Sequence, residues 1–179
     1  MLWITVPAAE VWDEKSMEFF TTKEQKLQLE NSLVSISKWE AKWQKSFFSR
    51  EPKTLEETID YIKCMTITQN VDPNVYRMLS NQNIKDIQEY IEAPMTATTF
   101  SERSRAGGRE TVTSELIYYW MVALNIPFEC QKWHINRLLT LIRICNIKNQ
   151  PDRKRSRREI INQNAALNAA RRKKFNTKG

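Results

Sequence analysis

The sequence predicts an α+β fold that is predominantly α-helical: a small N-terminal β element packed on a helical domain, followed by a basic, partly helical tail. Three observations carry this reading. Apolar residues recur at helical intervals through most of residues 32–145. Short apolar runs with strand character lie near the N-terminus. The charge, finally, is divided unevenly: residues 151–179 hold ten basic and two acidic side chains, which leaves eighteen and nineteen to residues 1–150. One globular domain over 1–150 and a basic extension over 151–179 follow. A chain of 179 residues with 41% hydrophobic and 10% aromatic content can build such a core, which argues against wholesale disorder.

Taken in order, "LWITV" before Pro7 is a β-branched run and reads as a strand, and "KLQLE" (26–30) alternates apolar and polar as a second strand would. From Ser32 the period changes, with Ile36, Trp39 and Trp43 at i, i+3 and i+7 on one helical face. Thr54 and Glu57 form a capping box for a helix that continues through Leu55, Ile59 and Ile62. Asp72-Pro73 starts another helix, with Val75, Met78 and Leu79 at helical intervals. Ile84, Ile87, Tyr90 and Ile91 mark a short helix stopped by Pro94, and residues 96–110 read as a long loop. "TSELIYYWMVALN" (113–125) is apolar almost all round, the composition of a central buried helix. A further helix is predicted over Cys130–Cys145, carrying Ile135, Leu138, Leu139 and Ile142 and folding back antiparallel on the helix before it.

Several chemistries are disfavoured. Residues 1–106 contain no glycine, and Gly107-Gly108 lacks the spacing of a nucleotide-phosphate loop. Cys130 and His134 can share a helical face, but Cys145 lies eleven residues beyond His134, about 16 Å along one helix. That is too far for a shared tetrahedral zinc, so no metal or cofactor is expected. His134 is the sole histidine and is flanked by Trp133, Ile135 and Leu138, a packed setting with nothing to activate a nucleophile; no enzymatic activity is expected. The acidic pairs Glu56-Glu57 and Asp13-Glu14 read as solvated charges at helix ends. Three scattered cysteines suggest a reducing, cytosolic setting, and the uncharged, proline-interrupted N-terminus does not read as a secretory signal.

Two segments remain as candidates for binding. Trp39, Trp43, Phe47 and Phe48 form the most aromatic stretch, interleaved with Lys38, Lys42 and Lys45; core packing is one reading, a partner-binding face the other. The tail carries Arg153, Lys154, Arg155, Arg157 and Arg158, then "EIINQNAALNAARR" without a helix breaker, then Arg171, Arg172, Lys173 and Lys174. Its apolar stripe is too narrow for a membrane-surface helix, and no membrane partner is expected. Lysine and arginine clusters bind phosphate through counterion release, so nucleic acid is an alternative partner.

Four stretches, "LQLENSLVSISKWEAKWQKSFF" (27–48), "TLEETIDYIKCMTITQNVDPNVY" (54–76), "TSELIYYWMVALNIPFECQKWHINRLLTLIRICNIKN" (113–149) and "ALNAARRKKFNTKG" (166–179), resemble the tail assembly chaperones of long-tailed siphophages. The resemblance implies a non-catalytic factor that acts in the cytoplasm of the infected bacterial host and is absent from the mature virion. Such proteins are encoded just upstream of the tape-measure protein, hold it soluble, and release it as tail-tube subunits polymerise around it. Many are made in two forms by ribosomal frameshifting, and an end at Gly179 suits the shorter. The resemblance carries over no individual binding residues, and self-association stays open.

Overall fold

The structure, a computed structural model, describes residues 1–13, 17–100, 111–149 and 157–175. It is an α+β fold in which helices predominate: two small antiparallel sheets precede six α-helices and two 3-10 turns among the described residues. The chain divides into two compact units, Met1–Cys145 and Asn146–Gly179.

The first unit begins with β1 (Leu2–Val6), which pairs antiparallel with β4 (Gln25–Leu29), Leu2 opposite Leu29 and Val6 opposite Gln25. The two-residue period buries Ile4, Val6, Leu27 and Leu29 and leaves Trp3, Thr5 and Lys26 outside. Between them in sequence lie β2 (Ala9–Asp13) and β3 (Glu18–Thr22), a second antiparallel ribbon with Ala9 opposite Thr22. The far edge of β4 is closed by Ile67, whose amide donates to the Gln28 carbonyl at 2.8 Å, and by Thr68 Oγ1, which accepts from the Gln28 amide at 2.8 Å.

Helix α1 (Leu33–Trp43) starts at Ser32, which exchanges capping bonds with Ser35, and ends at Gln44 in a left-handed conformation (φ 54°). Leu33, Ile36 and Trp39 are its buried stripe, at the predicted spacing. Helix α2 (Leu55–Met65) has the expected capping box: Thr54 accepts from the Glu57 amide, and Glu57 accepts from the Thr54 amide at 2.8 Å. Its inner face is made by Glu57, Asp60, Tyr61, Ile62 and Met65, whereas Leu55, expected on the apolar stripe, is exposed. Asp72 does cap the turn at Pro73, accepting from the Asn74 amide, but the element is a 3-10 turn ending at Arg77. Met78 and Leu79 follow it outside any helix and pack partly buried against the core. Helix α3 (Asn81–Glu92) buries Ile87 and Tyr90 and stops before Pro94 as predicted. Residues 96–100 have no regular structure, and 101–110 of the expected loop lie outside the described residues.

Two expectations for the remaining segment need correction. Helix α4 (Ser114–Ala123) is not a buried central helix, since only Ser114, Ile117 and Met121 are enclosed. Nor does one helix run from Cys130 to Cys145. Phe128–Lys132 is a 3-10 turn, Trp133 and His134 are extended, and α5 spans Ile135–Asn149, burying Ile135, Leu138 and Ile142. His134 leaves the helix because it bridges to Ser32 in the β4–α1 link, and the Ile135 amide donates to the Asn31 carbonyl at 2.7 Å. The helix neighbour of α4 is α1 rather than α5.

A buried polar knot ties these pieces together. The Tyr61 hydroxyl donates to Asn31 Oδ1, and Asn31 Nδ2 donates to the Ile91 carbonyl at 3.3 Å. The Tyr90 hydroxyl donates to Glu30 Oε1 at 2.6 Å. His134 Nδ1 accepts from the Asn136 amide at 3.3 Å, which assigns the ring proton to Nε2, donating to the Tyr90 carbonyl at 3.0 Å. Every described buried side-chain nitrogen and oxygen has a partner, as a stable interior requires.

In the second unit α6 (Arg157–Phe175) is the long helix of the tail.

Candidate functional site

The aromatic segment is one continuous stack. Trp39 and Trp43 lie 6.3 Å apart, Trp39 and Phe47 meet edge-on at 5.4 Å, Phe47 meets Phe48 edge-on at 5.7 Å, and Phe47 tilts against Tyr61 at 4.2 Å. The four residues do not share one fate. Trp39 is 1% exposed and its indole N–H donates to the Glu57 carbonyl at 2.9 Å, so it is a core residue and no partner touches it directly. Trp43, Phe47 and Phe48 are half-buried against the core.

Of the expected lysine flank, Lys42 and Lys45 are drawn into ion pairs, and Lys38 is exposed. Lys45 reaches the buried Glu57 carboxylate at 2.7 Å, and Lys42 hydrogen-bonds Asp60 Oδ1 while the Trp43 indole donates to Oδ2 at 3.0 Å. Glu57 is therefore not a solvated helix-end charge: it is held inside by Lys45 and its own cap. Asp13-Glu14, the other acidic pair, falls at the margin of the described residues, and Glu14 lies outside them. The hydrogen bond from Lys45, with that from the Thr54 amide, holds the Glu57 carboxyl below its ordinary range, and Glu57 in turn raises Lys45. Burial works to raise Asp60, but hydrogen bonds from Lys42 and Trp43 outweigh it and depress the carboxyl. Trp43, Ile59, Asp60, Lys42, Lys63 and Arg77 line an open groove of about 400 Å³ beside these pairs.

Cys130 sits in a 3-10 turn and His134 in an extended link, and among the described residues no three His, Cys, Asp or Glu side chains converge to hold an ion. Burial raises the Cys130 thiol and lowers the His134 imidazole, and the hydrogen bond to the Tyr90 carbonyl opposes the second effect only in part. These are properties of packed core groups rather than of an activated nucleophile.

The surface that sequence reasoning missed is the outer side of α4. Tyr119 is 65% exposed and Val122 59%, less than a turn apart, and Phe128 from the following 3-10 turn is 54% exposed. Phe128 lies 6.4 Å from the ring of Tyr118, and Trp120 and Leu124 are partly buried alongside. Large apolar side chains thus stand in water on a helix whose inner face is already satisfied by Ile117 and Met121. The signal was present in the all-round apolar composition, which has two physical readings: a helix enclosed by its own chain, or one whose outer face is reserved for another.

The glutamate that positions this helix was also missed. Glu40 of α1 is buried; its Oε1 accepts from the Phe47 amide at 2.7 Å and its Oε2 from the Ser114 amide at 2.7 Å. One carboxylate thereby anchors both the aromatic turn after α1 and the N-terminus of α4, where the helix dipole favours a negative charge.

Of the tail cations, Arg153, Lys154 and Arg155 lie outside the described residues. Arg157 and Arg158 open α6, and Arg171, Arg172, Lys173 and Lys174 stand exposed near its C-terminal end. Among the described residues no helix is long and apolar enough to cross a membrane. Comparison of the chain with protein-family models, with curated proteins and with solved structures finds no match.

Proposed function

We propose that this chain is a non-catalytic assembly chaperone of the siphophage tail type, which binds a tape-measure protein and keeps it soluble while tail-tube subunits polymerise. It works in the cytoplasm of the infected bacterial host and is left out of the mature virion. The observation that carries the reading is the exposed apolar face of α4, Tyr119 and Val122, with Phe128 exposed in the turn that follows. A tape measure is a long amphipathic helix whose apolar stripe aggregates when bare, and a second helix with an uncovered apolar face is the complement it needs. The half-buried rings of Trp43, Phe47 and Phe48 widen the apolar surface available in the same unit.

Co-expression with a long amphipathic tape-measure-type protein tests this. The wild-type chain raises the soluble fraction of that protein several-fold, and Tyr119→Lys/Val122→Lys removes the effect while circular dichroism and thermal unfolding stay as in the wild type. A folded double variant that solubilises the partner as well as the wild type does refutes the assignment of the α4 face.

A further inference from the structure

Helix α6 has a surface unlike that of any other helix among the described residues. Every described side chain from Ile161 to Phe175 is exposed. Its apolar residues Ile160, Ile161, Leu167 and Phe175 are too few over nineteen positions to make the broad stripe by which a helix packs. One face instead carries Asn164, Asn168, Arg171 and Arg172, at i, i+4, i+7 and i+8, with Lys173 and Lys174 completing a four-cation turn. From Ile160 to Phe175 the helix holds no acidic residue, and its one acid, Glu159, stands twelve positions before Arg171. Alanines 165 and 169 adjoin the two asparagines, keeping that face low.

We propose that α6 is a DNA-docking helix that lies in the major groove of a duplex, with Arg171, Arg172, Lys173 and Lys174 holding backbone phosphates and Asn164 and Asn168 facing the base edges. Charge complementarity selects a polyanion. Two carboxamides one turn apart, each with donor and acceptor, match the hydrogen-bonding edges that bases present, adenine above all. A helix about 10–12 Å across fits the roughly 12 Å major groove of B-form DNA, and the deep, narrow groove of A-form RNA does not admit it. The nineteen residues of α6 span about 28 Å, close to one turn of duplex. This inference does not depend on the chaperone reading, which rests on α4.

Fluorescence anisotropy of the full chain with a labelled duplex of about 30 base pairs tests it. Four phosphate contacts give a slope of log affinity against log salt near −3.6, about a 10²-fold loss between roughly 50 and 200 mM NaCl. Arg171→Glu/Arg172→Glu/Lys173→Glu/Lys174→Glu abolishes binding with the thermal unfolding of the chain unchanged. Asn164→Ala/Asn168→Ala keeps the salt slope and loses the protection of guanine N7 in the major groove against dimethyl sulfate. No binding at low salt, unchanged binding by the quadruple variant, or duplex RNA bound as tightly as DNA each overturns the proposal. So does tighter binding to polyglutamate than to DNA, which assigns the face to an acidic protein.

Discussion

Glu40 shows how much a single buried carboxylate can organise. It is 7% exposed and its two oxygens take the Phe47 and Ser114 amides, 74 residues apart in the second case. Truncating it strands the buried Ser114 N–H and the part-buried Phe47 N–H, and a bond to a charged acceptor is worth more than a neutral one. Glu40→Ala is therefore expected to cost about 3 kcal/mol in urea unfolding, with Glu40→Gln intermediate because its amide nitrogen faces a donor. A loss below about 1 kcal/mol would show that water replaces the carboxylate, contrary to its burial. Little of this was legible in the sequence. Glu40 lies between Trp39 and the alternating lysines, and only the fold brings Ser114 to it. Trp39 was legible as a helix-face aromatic, but whether that face met core or partner depended on α2 arriving to accept its indole proton.

At the scale of elements, local chemistry was readable wherever it is short-range. Thr54 and Asp72 cap where the sequence places them, because capping needs only three neighbouring residues. Thr54→Ala should lower stability by about 1 kcal/mol, with Thr54→Ser or Thr54→Asn restoring most of it; an unchanged unfolding midpoint for the alanine variant would deny the cap its role. The helix predicted from Cys130 failed for the opposite reason. His134 and Ile135 exchange local helical bonding for pairing with Ser32 and Asn31, a hundred residues away, and periodicity carries no record of that competition. Likewise α4 is apolar in every direction, so its sequence could not say which side meets Met121's neighbours and which meets solvent.

For the whole molecule, three titrating groups, His134, Glu57 and Asp60, act in one direction on acidification. His134 is held neutral, its pKa below the ordinary 6.5, so the unfolded chain binds the proton more readily and stability falls as pH drops below about that value. Glu57 and Asp60 are depressed below 4.5 and 3.8, so the stability they contribute is present above those values and lost as pH falls through their lower folded values. The melting temperature should accordingly decline in two steps on acidification. The upper step belongs to His134 and disappears in His134→Gln; a melting temperature flat between about pH 7 and 5 would contradict its burial as a neutral ring.

The sequence by itself determined the fold class, the caps at Thr54 and Asp72, several helix faces and the segregation of charge into the tail, because these follow from spacing and composition along the chain. The tertiary structure decided which apolar side chains are core and which are surface. It turned Glu57 inward, set Trp39 in the interior and left Tyr119 and Val122 outside. Burial is a property of what packs against a residue, and the partners of these residues lie far away in sequence.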